Sequence, residues 1–113
     1  MHSHGEIIVI SAEELKKKLD SRQKPVVVEV LGKTEFEKGH VPGAINIPVD
    51  ELQERAEKEL ERNSEIIVYC SSFSCHASGN AAHLLWHMGY ENVREFSGGK
   101  RAWVIAGFPL EKN

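Results

Sequence analysis

Strands alternating with helices along 113 residues predict an α/β fold: a mostly parallel sheet with helices on both faces. Short β-type apolar runs recur between longer stretches of helical spacing. The run Val26-Val27-Val28-Glu29-Val30 is continuous, as in strands covered on both sides. No repeat, low-complexity tract or linker breaks the alternation. The length has room for one domain and one hydrophobic core, residues 1–113, with residues 1–5 a flexible start that carries no assigned role.

Ile7-Ile8-Val9-Ile10 reads as the first strand. Ser11-Ala12-Glu13-Glu14 then forms a capping box, in which the Ser11 hydroxyl and the Glu14 carboxylate satisfy free N–H groups at a helix start. That helix runs to about Leu19 or Asp20, with Leu15 and Leu19 inward. After the strand at Val26–Val30, a short helical turn over Thr34–Lys38 stops at Gly39, and Ala44–Ile47 is a strand closed by Pro48. Asp50–Glu61 is strongly charged with anchors at Leu52, Ala56 and Leu60, the pattern of a surface helix with a narrow buried stripe. Ile66-Ile67-Val68-Tyr69 is a central strand running straight into Cys70. Ala77, Ala81, Leu84, Leu85 and Met88 recur at helical spacing before Gly89 stops the helix. Val93–Phe96 is the last strand, and Gly98-Gly99 turns the chain into a short helix over Lys100–Ala106.

The composition is that of an ordinary globular protein, 41% hydrophobic and 27% charged. A net charge of -3 without a basic cluster gives no footprint for nucleic acid. The longest apolar runs are four or five residues, too short to span a membrane, and no secretory signal is evident. Only two cysteines occur, Cys70 and Cys75. Two thiols five apart at a strand end fit a reducing compartment, the cytoplasm by default, and a reactive role better than a disulfide framework.

In parallel α/β sheets ligands sit outside the carboxyl ends of the strands, where Cys70 falls. Tyr69-Cys70-Ser71-Ser72-Phe73-Ser74-Cys75-His76 joins that strand to a helix N-terminus. Unpaired amides and the helix dipole there stabilise an anion, either a Cys70 thiolate or an oxyanion substrate. Cys70 is therefore the candidate nucleophile, and Ser71, Ser72, Phe73, Ser74, Cys75 and His76 are its binding loop. The competing reading is an inert, buried strand-end thiol, since free cysteine is among the most buried residue types. Cys75 reads as a resolving thiol or as packing. His76, Asn80, His83 and His87 share one helix face, read as a polar exposed stripe and not a metal site. Trp86 lies off the apolar stripe of its helix, and Trp103 reads as core.

Several segments resemble the rhodanese family. Glu35-Phe36-Glu37-Lys38-Gly39-His40-Val41-Pro42-Gly43-Ala44-Ile45-Asn46-Ile47-Pro48 is similar to its signature before the third strand, and Tyr69-Cys70 to the strand end bearing its cysteine. Gly89-Tyr90-Glu91-Asn92-Val93, Gly98-Gly99-Lys100-Arg101-Ala102-Trp103 and Ala106-Gly107-Phe108-Pro109 resemble its C-terminal elements. The resemblance implies a five-stranded α/β sheet and a sulfurtransferase cycle. In that cycle the Cys70 thiolate takes a sulfane sulfur from a small donor, becomes a persulfide, and passes the sulfur to a thiol or protein acceptor. It implies no cofactor, because loop amides stabilise the persulfide charge, and a hydrogen-bonding role for His40 near the site.

This chain departs from the family at two places. No Lys or Arg lies between Cys70 and Asn80, and Glu29-Val30-Leu31 replaces the usual Asp-x-Arg, so thiosulfate is a doubtful donor. The loop resembles a subgroup with a second cysteine five positions on. An oxyanion-binding relative needs Arg where His76 stands, which ranks phosphatase and arsenate reductase activities low. Two other functions compete: a redox-sensing domain using a Cys70–Cys75 disulfide, and a non-catalytic interaction module.

Overall fold

The computed structural model describes residues 7–112; the opening five residues lie outside that range. The elements follow in the order β1 (Ile8–Val9), α1 (Ala12–Leu19), β2 (Val26–Glu29), α2 (Lys33–Lys38), β3 (Ile45–Asn46), a 3-10 turn (Val49–Glu51), α3 (Leu52–Glu59), β4 (Ile66–Tyr69), α4 (Ala77–His87), β5 (Val93–Phe96) and α5 (Gly99–Ile105). The five strands form one sheet in the order β1-β5-β4-β2-β3, and every neighbouring pair is parallel. Each crossover carries a helix, as a parallel connection requires.

The pleat divides the core in two. Val28, Val30, Ile66, Val68, Cys70 and Val93 face one side, packed with Leu52, Ala56 and Leu60 from the α3 region and Ala81, Ala82 and Leu85 from α4. Val27, Ile67, Tyr69 and Phe96 face the other side, against Leu15 of α1, Phe36 of α2 and Trp103 of α5. Strand residues alternate faces, so Cys70 projects toward α4 and its neighbour Tyr69 projects away from it.

Edge strands are shorter than their apolar runs suggest. Residues 7–10 and 44–47 yield two-residue strands, because β1 and β3 each pair on one side only. Ile8 and Val9 are accordingly more than half exposed. The helix expected over Asp50–Glu61 is preceded by the 3-10 turn and ends at Glu59, where Leu60 turns extended (φ -123°, ψ 138°). Leu52, Ala56 and Leu60 are buried as their spacing predicts, and so is Trp103. His76, Asn80, His83 and His87 are all exposed, whereas Trp86 is half-buried and meets His87 edge-on. No helix among the described residues is long and apolar enough to cross a membrane.

Candidate functional site

Cys70 follows the last residue of β4, in the middle of the sheet. The segment 71–76 then climbs to the N-terminus of α4, with Cys75 N–H donating to Ser72 C=O at 3.0 Å. The start of α5 presses on this segment from the far side. Lys100 N–H donates to Cys70 C=O at 3.1 Å and Arg101 N–H to Ser71 C=O at 2.9 Å. Such proximity needs Gly99: its φ is 63°, and an added Cβ would lie 2.4 Å from the Cys70 carbonyl oxygen.

The two thiols are free and differ in setting. Cys70 has no exposed surface, while Cys75 is partly exposed. The Cys70 thiol donates to Ser78 Oγ at 3.4 Å and also approaches the Cys75 carbonyl oxygen at 3.6 Å. Burial pushes the Cys70 thiol above its ordinary value and the neighbouring Cys75 adds to that, with the Ser78 backbone N–H opposing. Partial burial also pushes Cys75 upward, but this is outweighed. The Cys70 thiol, the backbone N–H groups of Ala77 and Ser71, and the Ser71 hydroxyl all favour its anion, leaving it below the ordinary value.

The amides ahead of α4 do not serve Cys70 alone. They are shared: Ser78 N–H faces Cys70, while Ala77 and Ser71 face Cys75. The reason is depth. Cys70 belongs to the strand and is packed in the core, whereas Cys75 sits in the helix-entry turn where unpaired N–H groups point outward.

The remaining loop residues divide by exposure. Ser71, Phe73, Ser74 and His76 are exposed, and Phe73 is 74% exposed although its ring lies over Gly98. Ser72 and Ser74 hydroxyls share a hydrogen bond of 3.0 Å. His76 begins α4 without a side-chain capping bond.

Two groups not singled out from sequence, Ser78 and Glu95, complete the site. Ser78, fully buried in the first turn of α4, donates its hydroxyl to Glu95 Oε2 at 2.8 Å. Glu95 shares the inward face of β5 with Val93, and a carboxylate at such a position was the one signal for it. Beneath the other face, buried Glu29 accepts from Tyr69 O–H at 2.8 Å through Oε1 and faces the Lys100 ammonium at 3.1 Å through Oε2. Burial pushes the Glu29 carboxyl up, opposed by Tyr69 and Lys100. His40 is buried, stacked on Phe36 at 3.9 Å, with its Nδ1 3.1 Å from Phe36 C=O and its Nε2 3.4 Å from Glu111 Oε1, and so braces this lower layer.

The rhodanese-like domain family matches residues 11–106. Over 95 residues the chain is 36% identical to the putative sulfur carrier protein YrkF of Bacillus subtilis, covering 84% of this chain but only 50% of YrkF. It is 27% identical over 101 residues to a sulfurtransferase of Allochromatium vinosum, covering 89% of this chain and 92% of that protein. Among solved structures, the rhodanese-like domain of the Alr3790 protein from Anabaena sp. superposes with a TM-score of 0.83 at 30% identity, over 92% of this chain and 78% of that one.

Proposed function

Because the chain belongs to the rhodanese-like domain family, we propose that it is a sulfurtransferase or sulfur carrier that holds a sulfane sulfur on Cys70 as a persulfide. The observation that carries this reading is a pair of free thiols in a strand-to-helix turn lined with N–H and hydroxyl donors. A persulfide is anionic near neutral pH, and donors fixed before the reaction stabilise it without reorganising. The co-substrates in this reading are a small sulfur donor and a thiol or protein acceptor. Two unpaired thiols suit a reducing compartment such as the cytoplasm.

Thiosulfate is disfavoured as the donor. The Lys100 ammonium is turned to Glu29 and to Glu35 C=O, not to either sulfur, and the segment 71–76 itself carries no Lys or Arg to clamp a dianion.

Intact-mass analysis after exposure to inorganic polysulfide tests the proposal. The wild type should gain the mass of one sulfur atom, settled on Cys70 and released by cyanide. A Cys70→Ser/Cys75→Ser double variant should gain none. Failure of the wild type to gain sulfur from polysulfide rejects the function. A second reading rests on the closeness of the two cysteines: mild oxidation that yields a reversible Cys70–Cys75 disulfide, with no sulfur uptake, would favour redox sensing instead.

A further inference from the structure

Cys70 has no exposed surface, whereas Cys75 stands partly open at the turn above it, so a sulfur donor in solution meets Cys75 more readily. The hydrogen bonding runs the same way. Ser78 gives its hydroxyl hydrogen to Glu95 Oε2 at 2.8 Å, so the face of Ser78 Oγ turned to Cys70 is a lone pair, and the Cys70 thiol donates into it at 3.4 Å. A sulfur that must donate to its neighbour is held as the neutral thiol. At Cys75 the sense is opposite: Ala77 N–H, Ser71 N–H and the Ser71 hydroxyl face its sulfur. That is a donor cradle built for a thiolate.

We infer that sulfur arrives on Cys75 and is handed inward to Cys70, with the Ser78–Glu95 pair keeping Cys70 protonated until the hand-over. The inference rests on the sulfur-carrying function proposed above and concerns its order of events. In the first step the Cys75 thiolate attacks the outer sulfur of a hydropolysulfide or organic persulfide. A bond forms between Cys75 Sγ and that sulfur, the donor's own sulfur–sulfur bond breaks, and the electron pair leaves on the remainder of the donor. In the second step Cys70 Sγ attacks the outer sulfur of the Cys75 persulfide. The Cys75 Sγ–sulfur bond breaks, and the Cys70 proton passes to the departing Cys75 sulfur. Thiol plus persulfide gives persulfide plus thiol, so no oxidant or reductant is consumed.

Glu95 is a positioning residue in this scheme, since it reaches Cys70 only through Ser78. Replacing its carboxylate frees the Ser78 hydrogen to turn toward the sulfur, which favours the Cys70 thiolate.

The test uses the whole chain, inorganic polysulfide as donor, an iodoacetamide quench and peptide mapping over time. In the wild type, sulfur should appear on Cys75 first and on Cys70 later. Cys70→Ser should load at the wild-type initial rate and keep its sulfur on Cys75. Cys75→Ser should load Cys70 slower by about tenfold or more. First appearance of sulfur on Cys70, or wild-type loading of Cys75→Ser, overturns the inference while leaving the sulfur-carrying function standing. Expulsion of sulfide with a Cys70–Cys75 disulfide as the main product overturns it as well. If no variant gains sulfur, the parent function is what fails.

A separate arm on unloaded protein at neutral pH reads the thiols directly. Iodoacetamide should modify Cys75 about tenfold or more faster than Cys70. Glu95→Ala should raise the Cys70 rate and leave Cys75 unchanged, and Glu95→Leu should act with the same sign if the alanine variant folds poorly. An unchanged or slower Cys70 in both Glu95 variants removes the positioning role.

Discussion

At Gly99 a single hydrogen atom decides whether α5 can sit on the cysteine turn. The residue holds φ 63°, and a Cβ there would lie 2.4 Å from Cys70 O and 2.7 Å from the Ser71 carbonyl carbon, backbone atoms with no freedom to retreat. Gly99→Ala should therefore cost about 3 kcal/mol or more. Gly79 offers the opposite case. It lies within α4, where an added Cβ would rest 3.6 Å from Glu95 Oε2, an ordinary contact. Gly79→Ala should stabilise the protein by about 0.5–1 kcal/mol through helix propensity. Urea midpoints of the two variants decide the matter, and equal shifts would contradict the packing described. Lys100 supports a third expectation. Lys100→Met leaves the Glu29 carboxylate buried without its counter-ion, which should cost about 3 kcal/mol near pH 7. The sign of the pH dependence follows from Glu29, whose folded value is raised above the ordinary 4.5. The folded state binds that proton more tightly than the unfolded chain, so its contribution is greatest below about 4.5. It is lost as the pH rises through the raised folded value. The penalty of Lys100→Met should therefore shrink toward pH 5; a penalty that grows on acidification would contradict the assignment.

At the level of single elements, legibility followed sequence distance. The α1 start was readable because its determinants are three residues apart: Glu14 N–H donates to Ser11 Oγ at 3.1 Å, and Ser11 N–H to Glu14 Oε1 at 2.8 Å. Ser11→Ala should cost about 1 kcal/mol, checked by thermal melting, and a neutral result would mean that the cap is redundant with packing. The stripe of α3 and the buried run of β2 were readable for the same reason, as each carries its period within one turn or one pleat. Ser78 and Glu95 were not. Only the parallel register that sets Val68 beside Glu95 brings a β5 carboxylate under α4, and no local spacing encodes that register. Lys100 likewise meets Glu29 across 71 positions of chain, because α5 packs on the sheet face opposite α4. The difference in setting between Cys70 and Cys75 is a matter of depth. Residue types place Cys70 at a strand end and leave both a reactive and a buried reading open; the packed strand shows it beneath the surface, with Cys75 partly exposed.

The molecule as a whole is a sheet shared by two apolar layers, and that sharing governs how it should unfold. Leu85 fills the α4 layer and Trp103 the α5 layer, and neither cluster contains the other residue. Both layers nonetheless close on β4, through Ile66 and Val68 on one side and Ile67 and Tyr69 on the other. Removing either side chain leaves a cavity against the same strand. Leu85→Ala should cost about 2–5 kcal/mol and Trp103→Ala about 3–5 kcal/mol. For a domain of this size each kilocalorie lowers the melting temperature by roughly 4–8 °C. If the sheet couples the layers, each variant should melt in one transition, seen alike by tryptophan fluorescence and far-UV circular dichroism. The two costs should also add in the double variant, since no contact is shared between the sites. Two separated transitions in either single variant would mean that one layer survives without the other. The cysteine turn, pinned between α4 and α5, would then lose one wall of its site before the fold itself was lost.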